Sequence, residues 1–113
     1  MNYTEQANEV LQIAKAIARE LDHPYVGTEH LLLGLRKVYT GVAGQVLAAN
    51  GVDEENILKV VDELVSPVGN TTVAHNPEFS PRLQYILEES TGEALRFRSS
   101  DVGTEHMLIA LLK

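Results

Sequence analysis

The residues with the clearest chemical potential are two glutamates, each placed inside the same five-residue motif, VGTEH. The first copy is Val26–His30 and the second is Val102–His106. In each copy a Thr–Glu pair precedes an apolar run, which is the pattern of a helix start with an acidic first turn. A carboxylate at this place can accept a guanidinium group in a bidentate pair. The same residues would also serve a purely structural helix start, in which Thr28 caps the helix, Glu29 complements its dipole and nothing binds.

The histidines that follow these glutamates do not form a zinc motif. The HExxH pattern needs a second histidine four residues on, where this chain has Gly34 after His30 and Ala110 after His106. We therefore expect no metal site, and we expect each of these histidines to pack or hydrogen-bond at the start of its helix. The other two histidines fall in predicted turns and show no pairing: His23 and His75.

Catalytic motifs are absent from the sequence. Neither the nucleophile elbow G-x-S-x-G nor the phosphate-binding pattern GxxxxGK[ST] occurs, and the serines stand in turns or at helix starts. The chain has no cysteine, which excludes thiolate chemistry and disulfides. We therefore predict a non-catalytic domain without a cofactor.

The two motifs belong to a larger internal repeat with an offset of 76 residues. Residues 26–37 and 102–113 are identical at eight of twelve positions. The alignment continues upstream without a gap, because Tyr3-Thr4 corresponds to Phe79-Ser80 and apolar positions fall on apolar positions. The chain therefore contains a duplicated supersecondary unit, which sets its architecture.

Apolar periodicity predicts an all-α protein in which each repeat begins with two helices. Helix one covers residues 4–21 with Thr4 as cap, helix two begins at Thr28, helix three covers 42–49 and ends at Asn50-Gly51, and Asp53 caps helix four. Ser80-Pro81 restarts the pattern, with proline at the first helical position.

The predicted division of the chain is repeat one at residues 1–65, a linker at 66–78 and a partial repeat two at 79–113. The second copy ends after its second helix, so a duplicated four-helix repeat is incomplete here. Either the sequence is a piece of a longer chain, or it is a natural fragment whose second lobe lacks its cover. In both cases apolar surface on helices five and six is a motive for self-association.

Composition limits the partners that the domain can have. The net charge is −7 and the pI is about 5.0, which argues against nucleic acid or an anionic membrane as the main partner. No apolar run approaches the roughly 18 residues of a membrane span, and no signal peptide is visible. We therefore expect a cytoplasmic protein.

Five segments of the sequence, which include both VGTEH motifs and both capped helix starts, resemble the Clp N-terminal repeat domain of AAA+ unfoldases, most closely the ClpC type. The resemblance covers nearly the whole chain. The resemblance implies a pseudo-two-fold bundle of eight helices that sits ahead of ATPase modules and receives substrates and adaptor proteins of the MecA or McsB type. The chain departs from the family at Gln6, where a basic residue is usual, and in the absence of the last quarter of repeat two. The matching segments are YTEQANEVL (3–11), VGTEHLLLGL (26–35), GVAGQVLAANGVD (41–53), FSPRLQYIL (79–87) and VGTEHMLIALL (102–112).

The resemblance also implies a ligand, because the ClpC-type family recognises phosphorylated arginine at two sites that include these glutamates. A carboxylate suits the guanidinium end of phosphoarginine, and a helix N-terminus with a hydroxyl suits its anionic end. On this basis we pair Glu29 with Thr4, and Glu105 with Ser80, as equivalent half-sites. Val26 and Val102 are expected to contact the arginine stem.

A second hypothesis keeps the family but omits the phosphoarginine ligand. In it the domain is a surface for adaptor docking and assembly control, which uses its acidic face and the groove between the repeats. Charge reversal at Glu54, Glu55 or Glu63 would then weaken adaptor binding while a change at Glu29 would not.

Overall fold

The computed structural model describes residues 1–64 and 77–113, except for the side chains of residues 60–64. The predicted linker at 66–78 therefore lies outside the described residues except for Pro77 and Glu78, and the division into two repeats stays a prediction. Glu78, its last residue, lies in a short strand.

The described residues are mainly helical, which confirms the predicted fold class. Their helices begin close to where the caps and the apolar periodicity placed them. The bounds are α1 Glu5–Glu20, α2 Thr28–Lys37, α3 Val42–Ala49, α4 Glu54–Leu64, α5 Pro81–Arg96 and α6 Thr104–Leu112. None of these helices has the length and apolar character needed to cross a bilayer, as far as the described residues go.

Four two-residue strands, which the sequence analysis did not predict, lie just before the helices. They are β1 Asn2–Tyr3, β2 Tyr25–Val26, β3 Glu78–Phe79 and β4 Asp101–Val102. Strand β1 pairs in parallel with β4, and β2 pairs in parallel with β3. Each pair joins one repeat to the other, because β1 and β2 lie in repeat one, while β4 lies in repeat two and β3 lies where the predicted linker meets repeat two.

The 76-residue offset holds in three dimensions as well as in sequence. It relates the bounds of α1 to those of α5 and the start of α2 to the start of α6. It also relates Asp22 to Arg98, two residues with nearly the same left-handed backbone angle (φ 57° and 58°). Both follow the first helix of their repeat and turn the chain toward the second strand. The duplication therefore extends to the turn geometry.

The hydrophobic core is shared between the repeats. Helix α2 packs against α1, α3, α4, α5 and α6, as expected from the apolar run that follows its VGTEH motif. The main cluster of buried residues draws large side chains from both repeats, among them Val10, Leu31, Leu83 and Met107. A smaller cluster of Ile17, Leu33 and Ile57 lies where α4 covers α1 and α2. The other apolar residues predicted to be buried in α4 (Val60, Val61 and Leu64) have no described side chains.

Some large apolar side chains of the second repeat are exposed. Leu95, Phe97 and Leu112 show 62, 60 and 76% of their surface to solvent. This exposure is consistent with the unpartnered surface that the sequence suggested on α5 and α6. Self-association through that surface stays a prediction.

A single hydroxyl group ties the start of α3 to the second repeat. Helix α3 has Gly41 as its N-cap, which offers no side chain to its free N–H groups. The Thr104 hydroxyl accepts a hydrogen bond from the Ala43 N–H at 3.2 Å, and Thr104 is 3% exposed. A threonine of α6 therefore accepts a free N–H at the start of α3, a role that the side chain of a helix's own N-cap residue normally has.

We expect Thr104→Val to lower the free energy of unfolding by about 1–3 kcal/mol, because the isosteric side chain leaves the buried Ala43 N–H without an acceptor. Urea denaturation followed by circular dichroism measures the change. Thr28→Val is the matched control, since among the described residues the Thr28 hydroxyl donates to the partly exposed Glu29 carboxylate, at 3.5 Å, and to no buried group. Equal losses in the two variants would contradict a special role for Thr104.

Candidate functional site

The strand pairs determine which hydroxyl residue lies next to which VGTEH motif. The Ser80 N–H donates to the Val26 carbonyl at 2.9 Å, and the Thr4 N–H donates to the Val102 carbonyl at 2.9 Å. Ser80 therefore lies beside the first VGTEH motif, and Thr4 lies beside the second. The predicted pairing of Glu29 with Thr4, and of Glu105 with Ser80, was wrong. Strand β2, before the first motif, pairs in parallel with β3, which leads to Ser80, and β4, before the second motif, pairs with β1, which leads to Thr4.

The two hydroxyl residues have the cap role that the sequence indicated. The Thr4 hydroxyl accepts from the Ala7 N–H, and the Ser80 hydroxyl accepts from the Leu83 N–H, each at 3.1 Å. These caps fix the first turns of α1 and α5, including the positions of Gln6 and Arg82 next to them.

The prediction that Thr28 caps α2 was wrong by one residue. The N-cap is Gly27, and its N–H donates to Nδ1 of His30 at 2.8 Å. Gly103 and His106 repeat this arrangement at the start of α6, also at 2.8 Å. Histidine thus takes the place of the glutamate or glutamine of an ordinary capping box, which confirms that each histidine hydrogen-bonds at a helix start.

Because histidine satisfies the cap, the neighbouring glutamates are left for other interactions. The Glu29 and Glu105 carboxylates fold back over Gly27 and Gly103, where a Cβ atom on either glycine would collide with them. Each lies 3.5 Å from Nδ1 of the adjacent histidine, and the side chains are 25 and 39% exposed. In the described part of the chain neither carboxylate has a lysine or arginine partner. Both carboxylates are therefore available to a cation from outside.

His23 is not an isolated turn residue, which corrects the sequence analysis. Its Nδ1 lies 2.7 Å from Nε2 of His30, and both side chains are buried. Since Nδ1 of His30 accepts from Gly27, its Nε2 must carry the proton and donate to His23. Burial lowers the pKa of His30, and the nearby Glu29 carboxylate opposes that shift only in part. His75 lies outside the described residues.

A cleft of about 200 Å³ gathers residues of both repeats around Glu29. From the first repeat come Pro24, Tyr25, Gly27, Thr28 and Glu29, and from the second come Ser80 and Arg82. Arg82 is exposed, and no carboxylate pairs with it among the residues with described positions. The sequence analysis missed Arg82 and Tyr25, although Arg82 stands at the position that corresponds to Gln6.

Val26 and Val102 do not line the cleft with their side chains. They are 0 and 1% exposed and belong to the main core cluster. Their predicted contact with an arginine stem is corrected accordingly: they fix the strands, and their carbonyls hold Ser80 and Thr4 in place. Tyr25 and Pro24 supply apolar surface at the cleft instead.

A second, larger groove of about 470 Å³ lies between α1, α2 and α4. Its apolar lining comes from Ile17, Leu21, Leu33 and Leu58. Charged side chains stand at its edge, including an ion pair between Lys37 and Glu54 at 3.2 Å; they are Glu20, Lys37, Glu54 and Glu55. Neither this groove nor the rest of the described chain holds three or more histidine, aspartate or glutamate side chains arranged for a metal ion.

Comparison with known proteins identifies relatives of the whole chain. A profile of the Clp repeat (R) N-terminal domain family matches residues 2–113. The chaperone protein ClpC2, chloroplastic, of Oryza sativa subsp. japonica is 38% identical over 111 residues, which is 98% of this chain and 12% of that protein. The negative regulator of genetic competence ClpC/MecB of Bacillus subtilis is 37% identical over 111 residues, 98% of this chain and 14% of that protein. The chain thus spans 12 to 14% of the length of these relatives.

Solved structures agree on the fold. The Hsp104 N-terminal domain from Candida albicans has a TM-score of 0.82 at 15% identity, covering 100% of this chain and 75% of that one. A ClpV N-domain in complex with a VipB peptide has a TM-score of 0.79 at 20% identity, covering 98% of this chain and 68% of that one.

The histidine at the start of α2 generates a prediction about pH. A histidine whose pKa is lowered in the folded state binds fewer protons there than in the unfolded state, where its pKa is about 6.5. Its stabilising effect is complete above that pH and is lost as the pH falls through and below it. We therefore expect the free energy of unfolding to fall between pH 7.5 and pH 5.5.

Chemical denaturation at both pH values, for the wild type and His30→Gln, measures this effect. Carboxyl groups titrate at lower pH, so the range isolates histidine. The variant should be less stable at pH 7.5 and should lose less stability on acidification. A loss of the same size in both proteins would contradict the role given to His30.

Proposed function

The chain belongs to the Clp repeat (R) N-terminal domain family, and from that premise we propose that it binds phosphoarginine-marked proteins for a Clp AAA+ unfoldase. Glu29 and Glu105 are the carboxylates that accept the guanidinium group in this proposal. The domain itself is non-catalytic, and ATP hydrolysis belongs to ATPase modules of the longer protein. A cytoplasmic location is part of the proposal, although the rice relative is chloroplastic by name.

The observation that carries the proposal is the composition of the cleft around Glu29. Among the described residues, it combines a carboxylate that has no lysine or arginine partner, the capped start of α5 and an arginine that has no ion-pair partner. The carboxylate suits the guanidinium end of phosphoarginine, and the helix start with Arg82 suits its phosphate. Tyr25 and Pro24 offer apolar contact to the side-chain stem.

Binding of a protein ligand is also consistent with a structural relative. A ClpV N-domain of the same fold has been solved in complex with a VipB peptide. At 20% identity this similarity extends to the fold alone, so the ligand and its site in the present chain rest on the cleft.

Free phosphoarginine should bind the domain more tightly than arginine, and Glu29→Gln should weaken the binding roughly 10- to 100-fold, the range expected for a charge-assisted contact. Isothermal titration calorimetry measures both affinities. Glu9→Gln removes an exposed carboxylate of α1 outside the cleft and should leave the affinity unchanged. Equal binding of arginine and phosphoarginine, or no effect of Glu29→Gln, would overturn the proposed ligand.

The larger groove favours a second candidate function, which is adaptor docking. Glu54 and Glu55, which the sequence analysis singled out for docking, both stand at the edge of the apolar groove between α1, α2 and α4. The side chain of Glu63, the third residue named there, is outside the described set. An apolar floor with an acidic edge suits an amphipathic segment that carries basic residues.

For this second function we expect Glu55→Lys to weaken binding of a MecA- or McsB-type adaptor severalfold, mainly by slowing association, because charges at the rim act on encounter rates. Surface plasmon resonance separates the two rates. The variant should still bind phosphoarginine normally, and Glu9→Lys serves as a charge-matched control. A normal association rate for Glu55→Lys would remove the groove from consideration.

A further inference from the structure

Two buried imidazole rings, those of His23 and His30, form a chain of hydrogen bonds that begins at the backbone of the cleft around Glu29. The Gly27 N–H donates to Nδ1 of His30 at 2.8 Å, and Nε2 of His30 donates to Nδ1 of His23 at 2.7 Å. Each of these contacts holds one proton between two nitrogens. The two rings, which we call the histidine pair, are therefore both neutral in this arrangement.

The histidine pair cannot take up a further proton without losing one of these hydrogen bonds. A proton on Nδ1 of His30 would face the Gly27 N–H, and a proton on Nδ1 of His23 would face the N–H at Nε2 of His30. If His30 moves its own proton from Nε2 to Nδ1, the bond within the pair is restored, but Nδ1 then faces the Gly27 N–H. Each charged state therefore opposes two N–H groups, either within the pair or at the start of α2.

The Glu29 carboxylate favours the charged state that opens the start of α2. Its Oε1 lies 3.5 Å from Nδ1 of His30, and the carboxylate folds back over Gly27. A proton at Nδ1 of His30 therefore reaches a charged acceptor after a small movement, and hydrogen bonds to a carboxylate are among the strong ones. Protonation of the pair thus gives Glu29 a partner inside the domain.

Two titratable groups act on the charge of His30 in the described part of the chain. Burial lowers the pKa of His30, the Glu29 carboxylate raises it, and His23 lowers it further. The helices packed against α2 bring no other charged group to bear on His30 within that part, although Arg82 of α5 lines the same cleft as Glu29. The pair is therefore neutral at pH 7.5 and takes up its proton in acid.

We propose that the histidine pair is a pH-dependent switch on the cleft. The neutral pair leaves the Glu29 carboxylate open to a guanidinium group, and the protonated pair draws the carboxylate onto the start of α2 and closes the site. The inference rests on the proposed function, in which Glu29 is the guanidinium acceptor. Affinity is complete above the range in which the pair titrates and is lost as the pH falls through it, and binding within that range releases protons.

The affinity for free phosphoarginine at pH 7.5 and at pH 5.5 tests the switch, with the Gly27 amide as reporter in ¹⁵N–¹H spectra, since Gly27 lines the cleft. The loss of affinity on acidification should be roughly two- to tenfold larger in the wild type than in His30→Gln, and tenfold is the limit that a histidine with an unshifted pKa of about 6.5 sets. Glutamine can accept the Gly27 N–H without carrying a charge. Protonation of the ligand itself is the same for both proteins and cancels in this comparison.

The second repeat supplies the matched control variant. His106 caps α6 through Gly103 as His30 caps α2, but its Nε2 lies 3.3 Å from the Ser99 hydroxyl, where the first repeat has His23. His106→Gln removes a histidine from an equivalent helix start at the other motif. It should leave the pH dependence at Gly27 as in the wild type.

Two further measurements separate a switch from a histidine that only stabilises the fold. In calorimetry near pH 6, in buffers with different ionisation enthalpies, phosphoarginine binding should release more protons from the wild type than from His30→Gln. In the wild type without ligand, the Gly27 amide shift should follow pH with the same midpoint as the affinity. The second measurement does not depend on the folding of any variant.

The outcomes distinguish the switch from the function on which it rests. If phosphoarginine does not bind at pH 7.5, the proposed function fails and the switch fails with it. If phosphoarginine binds and acidification weakens the wild type and His30→Gln equally, the function stands and the switch is refuted. A Gly27 amide shift that is the same at pH 7.5 and pH 5.5 in the free wild type also refutes the switch.

Discussion

Two short parallel strand pairs determine how this domain is assembled and what its sites contain. Each pair is only two residues long, yet each connects the segment before the first helix of one repeat to the segment before the second helix of the other. The hydrogen bonds from Thr4 to Val102 and from Ser80 to Val26 extend these pairs into the helix starts. Because of this crossing, the cleft around Glu29 takes residues from both repeats. Together with the shared core, the crossing makes the duplicated halves one folding unit.

The helices and their caps could be predicted from sequence, whereas the meeting of the site halves could not. Apolar spacing located all the described helices, and the hydroxyl residues Thr4 and Ser80 together with Pro81 marked two of their starts. A two-residue strand has too few positions to show an alternating pattern. The repeat offset shows which residues of the two repeats are equivalent. It does not show whether Glu29 lies beside Thr4 of its own repeat or beside Ser80 of the other repeat.

The start of the second helix shows a different limit of sequence reasoning. Threonine and glycine are both acceptable N-caps, so a Gly–Thr pair leaves the first residue of the helix uncertain by one position. The structure resolves it through His30, which accepts the N–H of Gly27 from three residues away. This choice has a chemical consequence. In an ordinary capping box the acidic side chain would be used inside the helix start, but here a neutral imidazole fills that role and the Glu29 carboxylate remains partly exposed without a basic partner in the described residues.

Crossed assembly also changes how a duplicated site diverges. When a site lies within one repeat, its charge changes only through substitutions in that repeat. In this domain Arg82 of repeat two lines the cleft around the glutamate of repeat one. The corresponding residue of repeat one, Gln6, follows Thr4, whose N–H donates to the Val102 carbonyl beside the second motif. Hydroxyl groups cap α1 and α5, and a glycine–histidine pair caps α2 and α6, so the backbone geometry is retained while the charge of the exposed residues differs. A pair of helix starts held by identical backbone bonds can therefore acquire different electrostatic preferences through exposed residues, without loss of the packing that holds the halves together.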